Sequence, residues 1–138
     1  MDQVEICKRA QQEAFAAGNF DAVDTYMAED IVSHTTPPGM PNGRDGIKAV
    51  IGWIHSGLDD VSYEIEDGFS SGDRVVLRTR FGGTHARPWM GHEPTGRSFV
   101  SDQIHIYRMV DGQIAEHWAC RDDVGMMRQL GLIDAAGS

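Results

Sequence analysis

The chain has 138 residues, 41% hydrophobic and 24% charged, with a formal net charge of −9 at pH 7. That is a soluble globular balance with room for one core and one cavity, and it predicts a single domain over residues 1–138. The acidic total and the scattering of the twelve Lys and Arg residues argue against nucleic acid as a partner, because nucleic-acid binding draws on clustered basic side chains.

No apolar run approaches the length of a bilayer span, so no membrane association is expected. The opening Met1-Asp2-Gln3-Val4-Glu5 is acidic and polar, unlike a secretion signal. Cys7 and Cys120 lie far apart with no CxxC spacing, so a cytoplasmic location with both thiols reduced is expected.

In chain order, Val4, Cys7, Ala10, Ala14 and Ala17 recur at helical spacing and predict a helix over 4–17, stopped by Gly18-Asn19. A second helix follows over about 20–27, with Phe20, Val23 and Met27 on its buried side. A short extended piece covers 30–34, and 35–46 is a loop rich in Pro and Gly. A third helix over about 45–56 carries the stripe Ile47, Val50, Ile51 and Ile54.

The period then changes from 3.6 to 2. Residues 61–66 and 74–81 read as strands on either side of a Gly72-Asp73 turn. Gly82-Gly83 predicts a bulge or break, and 84–96 reads as irregular. Strands over 98–109 and 113–121 flank the hairpin signal Asp111-Gly112, and a short helix over 125–130 closes on Gly131. Helices first and strands last predict an α+β fold, an antiparallel sheet covered on one side by helices.

The last hairpin carries most of the functional signal. A two-residue turn at Asp111-Gly112 sets Tyr107 opposite Glu116, His105 opposite Trp118, Gln103 opposite Cys120 and Ser101 opposite Asp122. Side chains alternate across a strand, so all eight share one face. The other face carries Ile104, Ile106, Ala115, His117 and Ala119. The first face mixes aromatic, titratable and hydrogen-bonding groups, as a ligand cavity does; a solvated face is the alternative.

Each residue also has a plainer role open to it. Asp122 or Asp123 serves equally as the cap of the short helix, His105 as a core histidine, and Glu116 as a structural ion-pair partner of Arg78 or Arg80. In this register His105 and Asp122 are four positions apart, roughly 13 Å at strand rise, unless curvature or a bulge shortens the gap. No HExxH spacing, GxGxxG or Walker loop occurs, so neither a metal nor a nucleotide cofactor is expected.

The ordered set Pro94-Thr95-Gly96-Arg97, Asp102 to Arg108, Asp111-Gly112-Gln113-Ile114, Glu116-His117-Trp118, Asp122, Gly125 and Gln129-Leu130-Gly131 resembles the SnoaL-like polyketide cyclases of the nuclear transport factor 2-like superfamily. The N-terminal half agrees more loosely, through Gly18-Asn19-Phe20-Asp21, Asp30, His34, Pro37-Pro38-Gly39 and Gly43.

The resemblance implies a cone of N-terminal helices on a curved antiparallel sheet, enclosing a pocket. It implies a cofactor-independent enzyme that closes a ring of a polyketide ester by intramolecular aldol reaction. Asp122 is then the acid/base and His105 its catalytic partner. Gln103, Trp118, His34, Tyr107 and Glu116 contact a hydrophobic, polyketide-like small molecule. His105 with Gln103 would donate hydrogen bonds to the developing enolate oxygen. The superfamily also hosts isomerases, dehydratases, epoxide hydrolases and non-catalytic binders, which remain alternatives. The segment His85 to Trp89 matches no family role. The aliphatic outer face, with Ile104, Ile106, Ala115 and Ala119, predicts a homodimer or homotetramer.

Overall fold

The computed structural model describes residues 1–134. Helix α1 (Gln3–Arg9) begins at Asp2, whose carboxylate accepts the Glu5 N–H at 2.9 Å, and passes directly into a π-helical segment (Ala10–Ala16). Helix α2 (Phe20–Tyr26) is capped by Asn19. Strand β1 (Met27–Ser33) leads through a Pro/Gly loop to the long helix α3 (Gly43–Gly57). Strands β2 (Leu58–Ser71), β3 (Arg74–His85), β4 (Ser98–Val110) and β5 (Gln113–Arg121) follow, and helix α4 (Asp123–Gln129) comes last. No helix among the described residues is long and apolar enough to cross a membrane.

The sheet order is β1-β5-β4-β3-β2, antiparallel throughout except that β1 runs parallel to β5. This is the expected α+β architecture: a curved, unclosed sheet with helices against one face. The core has two lobes. One joins α1 and α2 to the middle of the sheet through Cys7, Val23, Ile51, Leu77 and Ile114. The other joins the end of α3 to α4 through Leu58, Phe81, Phe99 and Leu130.

Three expectations change on inspection. The first helix does not keep the α period: Ala17 N–H bonds to Gln12 O five residues back, which frees Phe15 O to accept from His55 Nε2 at 2.7 Å. The wider turn brings Gln11 into the interior and leaves Ala17 exposed. Phe20 is 45% exposed rather than buried, since α2 packs through Ala22, Val23 and Tyr26. Gly82-Gly83 does not break β3, which pairs with β4 without interruption through both glycines. Their missing side chains instead leave room for Ser62 and Leu58 of β2, where that strand bulges.

Candidate active site

Between the inner face of the sheet and the helices lies a cavity of about 280 Å³. Phe15, Ile47, Val50 and Trp53 of the helices line it, as do Tyr63 and Phe81 of the sheet. Its polar wall is Gln103, His105 and Tyr107 of β4 with His117 and Arg121 of β5, together with Gln11 of the π-helical segment. Asp123, at the start of α4, is the carboxylate of this lining.

The β4–β5 register differs from the one expected, and the cause is a single extra residue. Val110 pairs with Gln113 as predicted and Met109 with Ile114, but Arg108 then pairs with Glu116, so Ala115 is bulged out of the ladder. Beyond the bulge every side chain of β5 changes face. His105 stands opposite Ala119, Tyr107 opposite His117 and Gln103 opposite Arg121. The expected neighbours Glu116, Trp118 and Cys120 lie on the outer face, alongside Arg108, Ile106 and Ile104.

His34, Glu116 and Trp118 therefore form a separate cluster outside the cavity. The His34 ring stacks on Trp118 with centroids 5.1 Å apart, and its Nε2 lies 2.6 Å from Glu116 Oε2. Arg108 donates to Glu116 Oε1 at 2.8 Å, and the Arg74 guanidinium sits over the Trp118 ring at 5.4 Å. The bond from Arg108, then that from His34, holds the Glu116 carboxyl below its ordinary range. Asp122 is also outside the cavity lining. It is exposed at the N-terminus of α4, where its carboxylate accepts the Gly125 N–H at 2.9 Å.

Two hydrogen-bond strings run into the polar wall. In one, Thr79 Oγ1 donates to Gln11 Oε1 at 2.8 Å and Gln11 Nε2 donates to the Tyr107 hydroxyl at 2.8 Å. Tyr107 thus receives a bond through its oxygen and keeps its own proton for the cavity. Burial pushes this phenol far above its ordinary range, so it is a donor at any working pH. In the other string, Ser33 Oγ lies 3.1 Å from His117 Nδ1, His117 Nε2 lies 2.9 Å from His105 Nδ1, and His105 Nε2 lies 2.7 Å from Gln103 Oε1. Both imidazoles are buried and neutral: desolvation, with the other histidine and Arg121 nearby, holds His105 well below its usual value, and desolvation, with Arg121 and His34, takes His117 down to about 3.

The sequence pointed to Gln103, His105 and Tyr107 on the cavity wall. It missed His117, Arg121, Gln11 and Asp123. The bulge accounts for His117 and Arg121, and the π turn for Gln11. Among the described residues no three His, Cys, Asp or Glu side chains converge as a metal site would require.

The irregular segment after β3 is a tied-down wall. Arg87 donates to Ser56 O, His55 O and Leu58 O at the end of α3 and pairs with Asp59 at 2.7 Å. Trp89 donates through Nε1 to Trp53 O at 3.0 Å, and its ring packs where a Cβ on Gly57 would collide with it. Trp89 and Met90 line the cavity, whereas His85 is fully buried behind it, its Nδ1 facing Thr95.

A model of the SnoaL-like polyketide cyclases matches residues 5–130. The chain is 31% identical over 123 residues to the nogalonic acid methyl ester cyclase of Streptomyces nogalater, covering 86% of this chain and 90% of that one. It is 28% identical over 132 residues to the aklanonic acid methyl ester cyclase DauD of Streptomyces sp. (strain C5), covering 94% and 81%. The structure of TsrD from Streptomyces laurentii superposes with a TM-score of 0.87 at 28% identity, covering 96% of this chain and 99% of that one.

Proposed function

The chain belongs to the SnoaL-like polyketide cyclase family, and from that premise we propose that it closes a ring in a polyketide methyl ester by intramolecular aldol addition, with its own side chains supplying the acid–base chemistry and no metal or organic cofactor. One observation carries this reading: an apolar cavity has its hydrogen-bond donors gathered on one wall and a single carboxylate, Asp123, in its lining.

In this mechanism the Asp123 carboxylate takes the acidic proton from a carbon next to a carbonyl. The electron pair moves onto that carbonyl oxygen, where the Tyr107 hydroxyl and the Gln103 amide donate to the growing negative charge. The enolate carbon then attacks a second carbonyl of the same molecule, and the alkoxide formed there recovers the proton from Asp123. Apolar walls hold the chain folded, which is where an intramolecular closure gains most. The family resemblance gives the acid/base role to Asp122. We assign it to Asp123, because Asp123 borders the cavity while Asp122 is engaged at the helix cap.

The test is conversion of a polyketide methyl ester to its ring-closed isomer, followed by chromatography and absorbance. Clean conversion, lost on replacing Asp123, supports the reading. Tight binding of the ester without conversion would make the protein a carrier.

We further propose a cytoplasmic homodimer, or a homotetramer built from it, formed through the outer face of the sheet. That face exposes Val100, Ile104 and Ile106 (46%, 42% and 38%) side by side with Arg78, Arg80 and Asp102. Ala119, expected there, belongs to the cavity face instead.

A further inference from the structure

We propose that His117 is a positioning residue for the ring closure: backed by Ser33, it donates from Nε2 to His105 Nδ1 and so fixes the proton of His105 on Nε2. The proposal rests on the cyclase reading for its reaction, and on the geometry of four side chains for its physics.

Ser33 ends β1, His117 lies on β5, and His105 and Gln103 lie on β4, so the string crosses three neighbouring strands of the sheet. Its three links measure 3.1, 2.9 and 2.7 Å. A neutral imidazole has one donor and one acceptor nitrogen. Since Gln103 offers its Oε1 to His105 Nε2, that nitrogen carries the proton and Nδ1 must accept. His117 then has to donate from Nε2 and accept at Nδ1, and Ser33 has to donate its hydroxyl proton there. One orientation at the end sets the direction of every link.

The result is a line of dipoles pointing the same way. Each donor is strengthened by the one behind it, in a buried setting where such polarisation counts most. The Gln103 amide nitrogen, for which no protein partner is found among the described residues, is the free end of the line, on a side chain that lines the cavity. His105 in this tautomer has no lone pair left for proton abstraction. It is an element of the oxyanion wall, which leaves the base role to a carboxylate.

The opposite tautomer would reverse the line. Gln103 would turn its carbonyl oxygen towards the cavity and present negative charge to a developing enolate. That reversal needs every link to turn at once: His117, tied to Ser33, couples His105 to the line so that His105 and Gln103 cannot turn alone.

The experiment is long-range proton–nitrogen correlation spectroscopy on the 15N-labelled full chain at neutral pH, without substrate, joined to kinetics on the polyketide methyl ester. In the wild type, His105 and His117 should both show a protonated Nε2 and a bare Nδ1. In His117→Phe, His105 should populate both tautomers, and kcat should fall by on the order of tenfold with KM little changed, because the lost interaction acts on the transition state. In His117→Gln, whose amide nitrogen reaches the place of Nε2, the single tautomer and most of kcat should return. If His117→Phe does not fold, Ser33→Ala tests the same string without opening the core, and His117 should then lose its single tautomer.

A wild-type His105 protonated on Nδ1, or a His117→Phe protein with unchanged tautomer and unchanged kcat, would overturn the proposal. The spectra need no turnover: the expected tautomers with no ring closure on the ester would overturn the cyclase reading and support the string.

Discussion

Asp122 and Asp123 are adjacent in the chain and face different surroundings. Asp122 accepts the Gly125 N–H at 2.9 Å as the N-cap of α4, while Asp123, exposed like its neighbour, borders the cavity. Asp122→Asn should therefore keep both fold and turnover, since Asn caps a helix about as well as Asp. Asp122→Ala should lower stability by about 1 kcal/mol through loss of the cap. Asp123→Asn should leave the melting temperature unchanged and reduce kcat by about a hundredfold or more, as removal of a general base does. Parallel melts and steady-state kinetics on the three variants check this. A large rate loss in Asp122→Asn with wild-type turnover in Asp123→Asn would return the acid/base role to Asp122.

Tyr107→Phe removes the hydroxyl that Gln11 supports but keeps the ring stacked beside His105 and His117. Turnover should drop by roughly tenfold or more, as for a lost oxyanion donor. Stability should also fall by about 1–3 kcal/mol, since the buried Gln11 amide loses its partner. Replacing Thr79, Gln11 and Tyr107 together by Val, Leu and Phe should recover stability without recovering rate. Urea unfolding and kinetics separate the two effects.

Acid should destabilise the protein well above the carboxylate range. In the unfolded chain His105 and His117 titrate near 6.5, while burial holds the first well below that value and the second at about 3 in the folded protein. Between those limits the unfolded state binds more protons, so the unfolding free energy falls as pH drops, by up to about 1.4 kcal/mol per pH unit for each histidine. Urea midpoints from pH 7.5 down to 5 should show this slope, and His117→Phe should flatten it. Equal slopes in the two proteins would mean that His117 is charged in the folded state.

Ile106→Glu puts a charge into the centre of the exposed outer face without touching the cavity wall. The variant should run as a monomer in light scattering at concentrations where the wild type is a dimer, with folding intact by circular dichroism. A wild-type chain that is already monomeric at micromolar concentration would remove the dimer proposal.

Periodicity was enough to read the order of helices and strands, because amphipathic patterns at 3.6 and 2 residues are local. The inner face of β4 was legible for the same reason: Gln103, His105 and Tyr107 alternate with Ile104 and Ile106 regardless of their partners. The partner strand was not legible. An Ala at a bulge carries no composition signal of its own, yet Ala115 moves Glu116, Trp118 and Cys120 outside and brings His117 and Arg121 in. A buried histidine therefore looked external and an outer-face tryptophan looked like a pocket wall. The π turn was hidden in the same way, since Ala10 and Ala14 satisfy an ordinary helical stripe whether or not the turn between them is widened.

The fastening of the segment after β3 bears on traffic into the cavity. With Arg87 bridging three backbone carbonyls and Asp59, and Trp89 wedged over Gly57, the wall carrying Trp89 and Met90 is fastened to the end of α3 and the start of β2. Thr35, Pro37, Arg121 and Met127 also line the cavity. There Arg121 donates to Thr35 Oγ1 at 3.4 Å, a single long bond from β5 to the loop after β1. A wall held by several short bonds yields less readily than one held by a single long bond, so the give that a bulky ligand demands falls to the side of Thr35.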